Sequence, residues 1–250
     1  MTDVISVGAI IIGNEILSGR TQEANITFIG KHMDDLGIIF KEARIIPDEE
    51  DIIIATVNEL RKKYTYVLTT GGIGPTHDDI TSFSIAKAFG IRLNRDPEAV
   101  LRMEEYYQSG EINEARLKMA DIPLGARLID NPISGAPGFQ LENVFVMAGV
   151  PVILQAMLTG INDRLVGGNP ILTAWIATNL RESVLAKGLS ELQDRFNDVS
   201  IGSYPFFKNR KSGVNVVMRS TDKNQLKETS ADLEKLVREL GGKILEIHSV

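Results

Sequence analysis

YVLTTGGIGPTHDDIT, residues 66–81, runs five strand-forming residues into three glycines, a proline, a histidine and two adjacent aspartates. YVLTT (66–70) reads as a strand, the glycines as a tight turn, and the spacing from 81 to 89 as a helix closed by Gly90. Upstream, VISVGAIII (4–12) is an almost unbroken β-branched run, the pattern of a strand covered on both faces of a parallel sheet. Ile26, Ile29, Met33 and Leu36 follow with helical spacing, stopped by Gly37; a strand is expected at 38–46. Pro47 and Asp48 then signal a helix start, with a helical pattern through Leu60. Strands alternating with helices predict an open, doubly wound, mostly parallel sheet.

Downstream, helices are expected from Pro97 to about Tyr107 and from Asn113 to about Asp121, with Ser109–Gly110 as the break. Short strands are read at 126–129, 138–141 and 144–147, before a helix near 152–158. GGNP (167–170) sets four turn formers in a row and marks a linker, dividing the chain into domains at 1–168 and 169–250. The second part reads β (171–178), α (183–196), β (199–207), β (213–220), α (224–242), β (243–250), the βαββαβ order of a split ferredoxin-like α+β domain. Trp175 and the PFF run at 205–207 are expected in that domain's core or at an interface.

Composition narrows the function. The 250 residues are 43% hydrophobic and 24% charged, an ordinary globular balance. Net charge is −6 without a long basic run, which argues against nucleic acid as a partner. No cysteine is present, which excludes disulfides and thiolate chemistry and fits a reducing compartment, so a cytoplasmic location is expected. The N-terminal apolar run is too short to span a bilayer and Asp3 stands where a signal peptide carries positive charge; no membrane association is expected.

In an open parallel sheet, loops leaving the carboxyl ends of strands share one edge, and ligands bind where strand order reverses. Three glycine-bearing loops are thereby brought together: GNEILSG after the first strand, TTGGIGPTHDD after the third, and MAGVP (147–151) with Gly149 after a late one. Bare glycine N–H groups and a following helix N-terminus suit an anion. The loop lacks the lysine of a phosphate-binding P-loop and the third glycine of a dinucleotide fingerprint. Two unit charges about 4 Å apart repel by roughly 1 kcal/mol in water and roughly 4 at an effective dielectric near 20, so a phosphate beside Asp78 or Asp79 needs a cation. No lysine or arginine is local in sequence; a hydrated Mg²⁺ or similar ion would reverse the local field. The second aspartate, Glu15 and His77 are candidate general bases. Against this stand plainer readings: Asp78, Asp79 or Asn25 as helix caps, Glu15 as a solvated charge, His77 as a polar loop residue, and the glycines as turn formers only.

GNEILSGRTQEAN (13–25), TTGGIGPTHDDIT (69–81), NEARLKMADIPLGARLIDNPISGAPGF (113–139) and MAGVP, in that order, resemble the MoaB/Mog family of molybdopterin-binding domains. The branch is that of the competence/damage-inducible protein CinA and of the N-terminal part of eukaryotic FAD synthase. The resemblance implies a three-layer α/β/α domain whose site matches Glu15, Gly19, Asn25, Gly71, Gly72, Gly74, Thr76, Asp78 and Asp79. Mog-type relatives bind molybdopterin, and some adenylylate it or insert metal. CinA-type relatives are linked to metal-dependent cleavage of the pyrophosphate in ADP-ribose or FAD. The carboxylates beside the glycine cradle lead to the expectation of a metal-dependent pyrophosphohydrolase of a nucleotide diphosphate such as ADP-ribose or FAD, with Asp78 and Asp79 holding the ion, the glycine turn and Thr76 binding phosphate oxygens, and Glu15 positioning metal or water. The alternative is a non-catalytic pterin-phosphate binder of molybdenum cofactor biosynthesis; a structural module is a third class. A small-molecule nucleotide or pterin phosphate is the expected partner. A homo-oligomer is expected, because relatives assemble and a small second domain is steadied by a partner surface. Ala148, Val152 and Ile153 depart from the family pattern, and His77 is closer to the FAD synthase branch. No deamidase or FAD-synthesis domain follows, so those activities are expected to be absent.

Overall fold

The computed structural model of the chain describes residues 5–108, 110–208 and 211–249. Val4, Ser109 and Val250, read above as strand, helix break and strand, lie outside the described residues. The chain forms two compact units, Met1–Gly168 and Asn169–Val250.

The first unit runs β1 (Ser6–Ile12), α1 (Asn14–Leu17), α2 (Asn25–Asp35), β2 (Ile39–Ile46), α3 (Glu50–Lys63), β3 (Tyr66–Thr70), α4 (Thr81–Phe89), β4 (Leu93–Arg95) and α5 (Pro97–Tyr106). It continues with α6 (Glu114–Leu117), β5 (Asp121–Pro123), β6 (Arg127–Ile129), β7 (Gly138–Leu141), β8 (Val144–Met147) and α7 (Pro151–Thr159). Six strands form one sheet in the order β2-β1-β3-β8-β7-β6, parallel through β8 and antiparallel at β7 and β6. The unbroken apolar run of β1 has its cause here. Ile10 and Ile12 enter a core shared with α3, α4 and α5, while Val7, Ala9 and Ile11 enter another shared with α2 and α7. A strand with helices on both faces has no polar side, so period-2 alternation disappears.

Two local readings change. The helix expected over 113–121 is cut to α6 and one 3₁₀ turn, Lys118–Ala120, after which β5 pairs antiparallel with β4. Strands of three residues carry too little periodicity to be read, and this pair closes over a gap of more than twenty residues. Asp48 does not start α3; the cap position is Glu49, and Asp48 turns elsewhere.

The second unit runs β9 (Leu172–Thr178), α8 (Glu182–Arg195), β10 (Ser200–Lys208), β11 (Lys211–Ser220), α9 (Lys223–Glu239) and β12 (Ile244–His248). Its antiparallel sheet, β10-β11-β9-β12, packs both helices on one core and has the split βαββαβ topology. Trp175 and the PFF run do not build that core. Trp175 stacks on His248 with ring centroids 5.9 Å apart, and Phe207 is 79% exposed. No described helix is long and apolar enough to cross a membrane.

Candidate functional site

Four strands, not three, send loops to the same sheet edge: β1, β2, β3 and β8. Beneath them lies a cavity of about 440 Å³ lined by parts of all four loops. Glu15, Asn25, Gly71, Gly72, Gly74, Thr76, Asp78, Asp79 and Gly149 line it. Gly19 does not; it ends α1, with its N–H donating to the Ile16 carbonyl.

The turn after β3 admits only glycine. Gly71 and Gly72 have φ of +102° and +68°, a region L-residues rarely enter. A Cβ on Gly71 would stand 2.1 Å from the Ile12 carbonyl oxygen, and one on Gly72 would stand 2.1 Å from Thr81 Oγ1. The turn is pinned from three sides: Gly71 N–H donates to the Met147 carbonyl, Thr81 Oγ1 to the Gly71 carbonyl, and Thr81 N–H to the Gly72 carbonyl. The N–H groups of Gly72, Ile73 and Gly74 are left without an acceptor among the described residues.

Asn25 ties this turn to the last loop. It is 5% exposed and occupies the first residue of α2, while Glu23 accepts from the N–H groups of Asn25 and Ile26. The Asn25 amide is therefore free for tertiary contacts: Nδ2 donates to Thr70 Oγ1 at 3.1 Å and to the Gly149 carbonyl at 2.8 Å. Its Oδ1 is buried without a partner. Gly149 is packed so closely that its Cβ would lie 3.2 Å from Gly71 Cα.

Five carboxylates line the cavity; Glu23 is held by the N–H groups at the start of α2, and the other four face this frame. Asp79 Oδ2 accepts from the Thr76 N–H at 2.8 Å and from Thr76 Oγ1 at 2.6 Å, and Asp78 Oδ1 approaches the same hydroxyl at 2.5 Å. Neither aspartate caps α4, whose cap residue is Ile80, so the capping explanation fails. Thr76, expected to bind phosphate, instead spends its N–H and hydroxyl on the aspartates. The hydroxyl, the peptide N–H of Asp78 and the nearby His77 and Lys118 charges hold the Asp78 carboxyl below its ordinary range. The Glu15 carboxylate folds back over Gly13, within 2.5 Å of where a Cβ would be.

Asp48 is the fourth, and sequence reading missed it. Asp48 Oδ2 accepts from the Asn14 N–H at 2.8 Å, and its side chain lies beside Gly72. Burial pushes its carboxyl up, and the charges of Glu15, Asp78 and Asp79 push it further, against the Asn14 hydrogen bond. The rule that selected the other loops would have found it, since Asp48 follows the end of β2 by two residues.

Two further corrections concern charge. Lys118, 42 residues from Thr76, donates to its carbonyl, so the loop does have a local lysine, supplied by the fold. His77 is 97% exposed at its side chain, with Nδ1 3.9 Å from Asp78 Oδ1, and it does not line the cavity. Among the departures in the last loop, Ala148 and Ile153 line the cavity and pack on the core, whereas Val152 is exposed.

Among the described residues, no three acidic or histidine side chains stand close enough to cage a metal ion. Paired carboxylates on one loop fit a different case, a hydrated hard ion held by one or two carboxylates and by the ligand's own phosphates.

Comparison with known proteins matches residues 8–166 to a family described as "probable molybdopterin binding domain", and residues 170–241 to the middle domain of FAD synthase. The chain belongs to this MoaB/Mog-type molybdopterin-binding family. It is also CinA-like: the crystal structure of a CinA protein of unknown function from Thermoplasma acidophilum is 32% identical. It superposes with a TM-score of 0.59 over 64% of this chain and 98% of that one. An Archaeoglobus fulgidus protein is 32% identical over 233 residues, 92% of this chain and 97% of the relative. A Thermococcus kodakarensis protein is 32% identical over 238 residues, 89% and 94% respectively. Both archaeal relatives thus share the two-unit length of the molybdopterin-binding family member described here.

Proposed function

We propose that the chain is a metal-dependent pyrophosphohydrolase acting on a nucleoside diphosphate derivative such as ADP-ribose or FAD. The observation that carries this reading is the convergence of the Gly72–Gly74 N–H groups, which have no acceptor among the described residues, with the carboxylates of Glu15, Asp48, Asp78 and Asp79 around one cavity. The N–H groups would orient phosphate oxygens, and Asp78 and Asp79 would hold the ion. When bound, a hard divalent ion supplies positive charge beside the phosphates and acidifies water. Asp48 is suited to take a proton, because burial, with the charges of Glu15, Asp78 and Asp79 added, raises its proton affinity. Water would attack one phosphorus while Asp48 accepts its proton; the P–O bond of the anhydride breaks and the second phosphate leaves with that electron pair. Glu15 would orient the water.

The test is AMP release from ADP-ribose and FAD with Mg²⁺, Mn²⁺ or Co²⁺. Wild type should turn over only with metal, Asp78→Asn should lose that turnover, and Asp48→Asn should lose about 10²-fold in kcat. Full activity in Asp78→Asn would end the hydrolase reading. A second reading, a pterin-phosphate binder without turnover, is favoured by the family description. Calorimetric titration with molybdopterin decides it, absence of heat counting against it.

A further inference from the structure

The loop bearing Asp78 and Asp79 is a partition. Ile73, Gly74 and Asp79 line both the large cavity and a second one of about 230 Å³, and Lys118 lines only the second. Its neighbour Met119 lines the large one, so the 3₁₀ turn Lys118–Ala120 braces the loop. The half-buried Lys118 stem carries its ammonium to the Thr76 carbonyl, and Thr76 is the residue whose hydroxyl and N–H hold the two aspartates.

We propose that Lys118 is the resident counter-cation of this loop, a positioning residue that balances Asp78 and Asp79 from behind and competes electrostatically with a divalent ion bound in front. The inference rests on the reading that those aspartates hold such an ion. A lysine answers a problem the sequence poses at this loop: adjacent carboxylates aimed at one cavity repel each other until a cation arrives. An ammonium on a flexible stem is a point charge that can stay on the carbonyl without entering the cavity. It also disfavours a second cation by ordinary Coulomb repulsion, softened by the exposed, high-dielectric surroundings of the loop.

The experiment is Mn²⁺ titration without nucleotide, followed by calorimetry and by the electron paramagnetic resonance signal of free Mn²⁺. Wild type, Lys118→Met and Lys118→Arg are compared, with melting curves to establish that each is folded. Lys118→Met should bind Mn²⁺ about fivefold to tenfold more tightly, the gap shrinking at 0.5 M salt (about a 4 Å screening length), while Lys118→Arg stays near wild type. In the same variants kcat on ADP-ribose should fall in Lys118→Met and recover in Lys118→Arg. A merely structural role would weaken metal binding and turnover together, so opposite signs separate the two. Unchanged or weaker Mn²⁺ binding in Lys118→Met, with wild type binding normally, overturns the role of Lys118 alone. Absence of Mn²⁺ binding in all three proteins overturns the metal reading and this inference with it.

Discussion

Replacing Asn25 by alanine removes a clamp that joins the end of β3 to the last loop. Two hydrogen bonds go, from Nδ2 to Thr70 Oγ1 and to the Gly149 carbonyl. Each contributes about 0.5–1.5 kcal/mol net, so the loss is about 1–3 kcal/mol, and the Gly149 carbonyl is left short of a donor in a crowded place. One effect offsets this: the orphaned Oδ1 disappears too, which returns about 1 kcal/mol of desolvation cost. The net expectation is a destabilisation of about 1 kcal/mol, or about 2–4 °C in melting temperature for a unit of this size. Asn25→Asp refines the test. It keeps the shape but sets a carboxylate oxygen against the Gly149 carbonyl at a buried position, so the folded-state pKa of the new group is raised. A raised acid is destabilising above its folded pKa and is relieved as pH falls through it, so Asn25→Asp should melt lower than Asn25→Ala at pH 7.5 and converge on it in acid. Differential scanning calorimetry from pH 7.5 to 4.5 reads this directly. Equal melting of Asn25→Ala and wild type, or a pH-independent gap between the two variants, would refute the clamp.

Gly71→Ala should cost about 3–5 kcal/mol, because positive φ and a 2.1 Å collision with the Ile12 carbonyl act together. Gly19→Ala, at φ +70° with open space around the new methyl, should cost only about 1–2 kcal/mol; urea midpoints of the pair check the contrast. Glu42 accepts from Lys63, the Tyr64 hydroxyl and Arg44, which lower its pKa to about 2. Since the folded value lies below the ordinary one of 4.5, its contribution is present above about pH 4.5 and is lost as pH falls toward 2. The stability difference between wild type and Glu42→Gln should therefore narrow between pH 5 and 3 in denaturant titrations.

What could be read along the chain were features with local causes. The unbroken apolar run of β1, the helix spacing of Ile29 and Met33, the glycine turn at 71–74 and the βαββαβ order of the second unit follow from hydrophobic period and turn chemistry. Those same features, with the rule on strand ends, brought Glu15, Asn25, Gly149 and the 71–79 loop to one edge. The β4–β5 ribbon escaped because three residues are too few to show a period.

Only tertiary structure decided the electrostatics of the site. Asp48 reads as a helix start until β2 takes its position next to β1 and turns it to the Asn14 N–H, 34 residues away. Lys118 reaches Thr76 across 42 residues, and Asn25 reaches Gly149 across 124. Period and turn preference act within a few residues, so a single chain declares its elements. Which charges end up within reach of one another depends on the order of strands in the sheet and on the packing that holds them, and no local pattern encodes that distance.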